Sequence, residues 1–401
     1  MTAPFVLLAA GLCLCLGIAG PATVTRASST KDISTAHLAP LSSLLLFGGY
    51  NASSSSQYLT IAGILSLAST FSTDAPPITS LDPLPFPTSR LVPVITSRGG
   101  NGFDVHLSNG VMNGQLGNRT FTYTVTANGS SAPKVKLQSK VIEGNVQVPF
   151  APAYVAAAST KMDAMDGGVN WAVGGRYYPE GPFVDKMWVF GRDGPPSAEQ
   201  QTQPSPSPRA DAALVPLNGT HLLLSGGYTT NTSTTHSDMW TYSIASKSWL
   251  KYPHSTTRPR SHHALVVFKH KWVVLIGREP PLVEVMEWTW GSKPKVAEVK
   301  GTGPQGLETT AAVVVGTQIV LVGGLTASED KDDRLIRVLK IQEVKDGAGA
   351  EALAFEWYRT KFTNTFVFDL DCLTFLGHNQ QVKHFHPTAL RHSPQLTIAF
   401  P

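Results

Sequence analysis

The chain has 401 residues, enough for one large repeat domain or two ordinary ones, and 42% of them are hydrophobic, enough for a real core. Lys and Arg total 32 against 28 Asp and Glu, a formal net charge of +4, and the basic residues are scattered. A nucleic-acid footprint needs a basic patch or stripe, so that partner class is set aside.

From Pro4 to Gly20 the chain is apolar and uncharged; small residues follow at Gly17, Ala19, Gly20 and Ala22, and Arg26 is the first charged side chain. This predicts a secretory signal peptide over 1–27, cleaved between Ala19 and Ala27, with a secreted, extracellular product. The leader lacks an early Lys or Arg, which is a departure, and the alternative is an uncleaved anchor. The run is short for a bilayer span, which takes ~20 residues. No second run of that length follows, so no transmembrane span is expected after cleavage. Five N-x-S/T sequons agree with secretion, at Asn51, Asn118, Asn128, Asn218 and Asn231, all in Ser-, Thr- or Gly-rich surroundings. Cys13 and Cys15 leave with the leader, so Cys372 cannot form an internal disulfide; its apolar surroundings (Phe366 to Leu376) predict a buried, inert thiol.

A short phrase then recurs: an apolar run closed by two glycines. It ends at Gly48-Gly49, Gly174-Gly175, Gly226-Gly227 and Gly323-Gly324, with a weaker copy at Gly277-Arg278 and a further candidate at Gly99-Gly100. The regular intervals are 226−174 = 52, 277−226 = 51 and 323−277 = 46. A period near fifty predicts one supersecondary unit stacked many times. The fourth unit is the clearest. It reads as strands over Ala212 to Leu217, His221 to Ser225, Met239 to Ile244 and Ser248 to Tyr252, with Asn218-Gly219 making the first tight turn. Pro208-Arg209 and Pro259-Arg260 open units four and five on the same grid, each Arg four residues before an alanine. Aromatic pairs at period two, Trp188-x-Phe190, Trp240-x-Tyr242, Trp288-x-Trp290 and Phe121-x-Tyr123, are assigned to third strands, with both rings on one face.

Double glycine after an apolar strand, then an aromatic, then Tyr242-x6-Trp249, resembles the Kelch repeat, over roughly Ala39 to Leu339. The resemblance implies an all-β fold: a β-propeller of about six four-stranded Kelch-type blades over 28–345, with seven blades or imperfect closure as alternatives. Trp357 is a candidate copy of the late Trp in blade six, and Arg278 departs from the pattern. Ring closure is the weak point. No clear first strand precedes Ser42, and the closing strand comes either from 30–41 or from the divergent segment 346–401, with a divergent C-terminal closing strand slightly favoured over a tail.

Chemistry-bearing clusters are sparse. His378, His384, His386 and His392 lack neighbouring Asp, Glu or Cys at ligand spacing, and the acidic run Glu329 to Asp333 lacks the glycine of a calcium loop. No metal, cofactor or catalytic residue is assigned. His262-His263 matches the Arg-x-x-His position of Kelch repeats, which implies a structural hydrogen bond. Copper-radical oxidases of the galactose oxidase type share the propeller, but their cross-linked Cys–Tyr pair has no counterpart around Cys372. The expected function is therefore a non-catalytic protein-binding module; a carbohydrate-active or oxidase-like propeller and a structural wall or matrix protein are the alternatives. The post-glycine loops gather on one propeller face, and Arg176, Tyr177, Tyr178, Arg278 and Asp330 are the candidate binding residues there, facing an extracellular protein or a glycan.

Overall fold

The computed structural model describes residues 30–31, 34–38, 42–51, 57–99, 102–108, 110–112, 115–116, 121–126, 134–138, 156–160, 169–177, 181–190, 197–199, 204–229, 234–277, 282–288, 293–301, 303–304, 307–308, 311–324, 335–347 and 349–358. Five consecutive sheets are four-stranded antiparallel meanders. Blade one is Ser34–Leu38, Ser43–Phe47, Ala62–Ser66 and Ile78–Ser80; blade two is Val92–Gly99, Gly102–Ser108, Phe121–Thr126 and Lys134–Gln138. Blade three is Ala156–Thr160, Val169–Val173, Met187–Phe190 and Ser197–Glu199; blade four is Ala213–Pro216, His221–Ser225, Met239–Ser243 and Ser248–Lys251. Blade five is Ala264–Phe268, Trp272–Ile276, Val283–Glu287 and Lys295–Val296. The sixth sheet repeats the meander with Ala311–Val315, Gln318–Val322, Ile336–Lys345 and Glu351–Tyr358, and adds Glu298–Lys300 in parallel beside its outermost strand.

The first strands touch one another in order around a ring, from blade one through blade six and back to blade one. The second strands explain why their sequences are apolar without a break. Alternate side chains of a strand point to opposite faces, and each face meets a neighbouring blade. Leu44 and Leu46 pack against Val320 and Val338 of blade six, while Leu45 and Phe47 pack against Phe103 and Tyr123 of blade two. Leu222 and Leu224 join Trp171 and Met187 of blade three, whereas Leu223 joins Leu265 and Leu275 of blade five. Each such buried leucine stabilises the ring by roughly 1.5–3 kcal/mol.

Four expectations are resolved, the first as one of its two open alternatives and the others as corrections. The closing problem is solved at the N-terminal side: Ser34–Leu38 pairs with Ser43–Phe47 and completes blade one without the C-terminal segment. The propeller also runs past residue 345, because Glu351–Tyr358 is the fourth strand of blade six. Gly99-Gly100 is not the glycine pair of blade two, since Gly99 ends its first strand. Val92 pairs with Ser108 as Ala213 pairs with Ser225, so Gly110 stands where Gly227 stands. Counted on the second glycine, the intervals on either side are 110−49 = 61 and 175−110 = 65.

The fourth expectation concerns Trp288, which lies beyond the third strand of blade five, not on it. The link from the glycine to the third strand is 238−226 = 12 in blade four but only 282−277 = 5 in blade five, as Gly226 and Gly277 donate to Asp238 O and Leu282 O. The positions matching Trp240 and Tyr242 are therefore Glu284 and Met286. Trp288 instead caps the far end, its indole donating to His270 O at 2.7 Å. Trp357 fits its expectation: it pairs with Leu339 as Trp249 pairs with Tyr242. The leader, His378 to His392, Glu329 to Asp333, and Cys372 with its apolar surroundings Phe366 to Leu376 lie outside the described residues.

Candidate functional site at the channel mouth

The glycine pairs build the frame of the site. Gly48, Gly174 and Gly226 have φ of 59°, 72° and 62°, a left-handed backbone that favours glycine. A methyl there would lie 2.3 Å from Thr88 O, 2.4 Å from Arg209 O and 2.3 Å from Arg260 O respectively. The second glycine uses the same carbonyl: Gly49, Gly175 and Gly227 donate to Thr88 O, Arg209 O and Arg260 O at 2.8, 2.7 and 2.8 Å. Each pair thus clamps its blade to the residue leading into the first strand of another. Gly323 and Gly324 share the left-handed backbone, at 68° and 96°.

The two leading arginines are buried and held by carboxylates of their own blades. Arg209 grips Asp238 with both terminal nitrogens, at 2.6 and 3.0 Å, and also donates to Gly226 O at 2.9 Å. Arg260 pairs with Glu284, whose oxygens also accept from Thr257 N and Thr257 Oγ1 at 3.0 and 2.6 Å. One residue therefore locks two blades, its carbonyl to a glycine pair and its guanidinium to a carboxylate. His263 sits under the Gly226 and Gly277 backbones with Nε2 3.3 Å from Ser225 Oγ, the structural hydrogen bond the repeat implies. Burial pushes its pKa down to about 3, so it is neutral.

Two residues beyond each leading arginine the chain turns left-handed again, now without glycine: Asp211 has φ 49° and His262 φ 55°, and Arg90 holds the matching place in blade two at 56°. Non-glycine residues in this region are uncommon and gather at functional sites. These three equivalent positions converge. Arg90 is ion-paired with Asp211 Oδ1, His262 Nε2 lies 3.1 Å from Asp211 Oδ2, and His262 N donates to Asp211 O at 3.0 Å. The side chains of Arg90, Asp211 and His262 remain 14%, 9% and 16% exposed, so the cluster is sunk but reachable.

Post-glycine ribbons rise around this cluster, at the end of the meanders where second strands finish and first strands begin. Tyr50–Asn51 pairs with Gln57–Tyr58, Tyr228–Thr229 with Thr234–Thr235, and Arg176 bridges to Phe183. The Tyr228 ring stacks on His262 (5.6 Å between centroids, 14° between planes), Phe183 meets Tyr228 edge-on at 5.7 Å, and the Arg176 guanidinium stands over Phe183 at 5.9 Å. Burial works against the charge of Asp211, but Arg90 and His262 outweigh it and hold its carboxyl below the usual range. Burial, then the Asp211 charge, raises the Tyr228 phenol, and the two arginines offset this only in part. At neutral pH the mouth presents an ionised Asp211, a protonated Tyr228 and two guanidinium groups. Among the described residues no group of three or more His, Cys, Asp or Glu is placed to hold a metal ion.

Of the candidate binding residues, Arg176 joins this cluster, and Tyr177 lies beside it with its N–H on Pro182 O at 3.2 Å. Tyr178, Arg278 and Asp330 lie outside the described residues. Sequence reasoning missed Arg90, Asp211, His262, Phe183 and Tyr228. A usable signal was present for two of them, because Asp211 and His262 each stand two residues after the Pro-Arg pairs that marked the repeat grid.

Comparison with known proteins supports the repeat and the architecture. No family model matches the chain. Kelch domain-containing protein 2 of Bos taurus is 36% identical over 73 residues, 18% of this chain, and the match spans 18% of that relative's length. The solved structure of YjhT superposes with a TM-score of 0.51 over 81% of this chain and 97% of its own, at 12% identity, a likeness of fold alone.

Proposed function

We propose that this Kelch-type β-propeller is a secreted, glycosylated binding module without catalysis of its own, and that it holds an extracellular protein at the channel mouth. The observation that carries the reading is the convergence of Arg90, Asp211 and His262 from equivalent positions of three blades, ringed by Arg176, Phe183 and Tyr228. Arg and Tyr are enriched in binding hot spots, where rigid anchors sit in partly desolvated surroundings. The surrounding ion pairs fix these side chains in advance, which lowers the ordering cost of binding. The apolar run at Pro4 to Gly20 supports the secretory part.

The test is affinity capture from extracellular extract on the immobilised full chain, with Arg176→Ala and Tyr228→Ala as mouth variants and Leu250→Ala as a rim control. The expected result is a protein retained by wild type and by L250A and released by both mouth variants at unchanged melting temperature. Retention insensitive to the mouth variants overturns the reading, as does specific retention of nothing.

A further inference from the structure

We infer that Asn218 is a site of covalent modification, carrying an N-linked glycan on the propeller face opposite the mouth. The inference rests on the secretory reading above. Asn218 sits in the turn between the first and second strands of blade four, closed by Leu217 N donating to His221 O at 2.9 Å. That turn is the far end of the meander from Gly226-Gly227.

Its side-chain amide is held in one orientation. Oδ1 accepts from Thr220 N, Thr220 Oγ1 and His221 N, all at 2.8 Å. Two of these donors are backbone N–H groups, which cannot pair with an amide NH2, so the carbonyl oxygen is fixed inward. Nδ2 is left on the other side of the amide, and it donates to no described residue. Gly219 and Thr220 beside it are exposed. The turn thus holds the oxygen of the sequon amide and leaves its nitrogen without a protein acceptor, beside two exposed residues. In the transfer, an Nδ2–C bond forms at the anomeric carbon of a lipid-pyrophosphate-linked oligosaccharide. The C–O bond to the pyrophosphate breaks with its electron pair, and Nδ2 gives up one proton.

The other sequons contrast with it. The Asn51 backbone is in the middle of a three-stranded sheet at the mouth, paired with Thr30 on one side and Gln57 on the other. Asn118, Asn128 and Asn231 lie outside the described residues. A glycan at Asn218 stands beside the His221 and Trp288 rings, 6.5 Å apart, and leaves the mouth open.

The full chain is exported from a glycosylating host twice, once with its own first 27 residues and once behind a heterologous leader. Glycan release by amidase in heavy-oxygen water then marks the occupied asparagines for peptide mass spectrometry. The expected result behind the heterologous leader is heavy-oxygen Asp at 218. N218D, which keeps the acceptor oxygens of the turn, should be lighter by one glycan at unchanged melting temperature. Thr220→Ser should keep the glycan and Thr220→Ala lose it. Recovery of unmodified Asn218 from protein exported by the heterologous leader overturns the inference. Modification at 218 behind that leader, with no export by the native one, sustains the site and contradicts the secretory reading.

Discussion

Asp211 and His262 occupy the same position in successive blades, both in the left-handed region, and their side chains meet at 3.1 Å. A repeat that carries one residue per blade to the axis turns a fifty-residue period into a cluster, and the identity of each copy is free to differ. Arg90 completes it from blade two. Asp211→Ala leaves the largely buried Arg90 without its carboxylate, and removing one partner of a buried pair costs roughly 3–5 kcal/mol. D211A should lower unfolding free energy in urea toward that size, and Asp211→Asn by less, since an amide oxygen still accepts from Arg90.

The glycine clamps give a second prediction. Gly226→Ala meets both a left-handed backbone and the Arg260 carbonyl, whereas at Gly349, φ 80°, a methyl meets nothing within 4 Å. Backbone strain alone costs about 1–2 kcal/mol. G349A should lose about that much and G226A clearly more; equal losses in parallel urea titrations would show that the close approach to Arg260 contributes nothing.

The alternation of second-strand side chains between neighbouring blades gives a third. Leu223 is fully buried between blades four and five, while Leu250 on the outer strand of blade four is 55% exposed. Leu223→Ala should destabilise by roughly 2–5 kcal/mol. Leu250→Ala should stay within about 0.5 kcal/mol.

Acid sensitivity gives a fourth. Burial lowers His263 to about 3 and His37 to about 4. A histidine depressed by folding is neutral in the native chain and takes up a proton on unfolding, so its contribution is complete above about 6.5 and declines as pH falls toward the folded value. Asp211, also depressed, adds a loss only at lower pH, below about 4. Stability measured in urea should therefore begin to fall near pH 6.5, before any carboxylate protonates. His263→Gln should flatten the slope between about pH 6.5 and 4.5.

The frame was legible because its physics is local. A glycine pair ends an apolar strand where a neighbouring carbonyl leaves no room for Cβ, and that mark survives in sequence at Gly48, Gly174 and Gly226; Gly323 shares their left-handed backbone. It failed at blade two, where Gly110 takes the place of Gly227 and the conspicuous Gly99 ends a first strand instead. It misled at Trp288 because blade five has a loop seven residues shorter, 12 against 5, which shifts every later position. The mouth was mostly illegible. Arg90, Asp211 and His262 are 211−90 = 121 and 262−211 = 51 residues apart and share no residue type, so only the ring that superposes their blades brings them together. Arg176 was reachable because it directly follows a glycine pair.

Recognition at the mouth is the proposal on which the binding reading stands. Hydrogen–deuterium exchange of the full chain, with and without the captured partner, measures this directly. Slowed exchange is expected at 176–177, 228–229 and 261–263, with no change in the outer strand 248–251. Slowed exchange on outer strands with an unchanged mouth would contradict it.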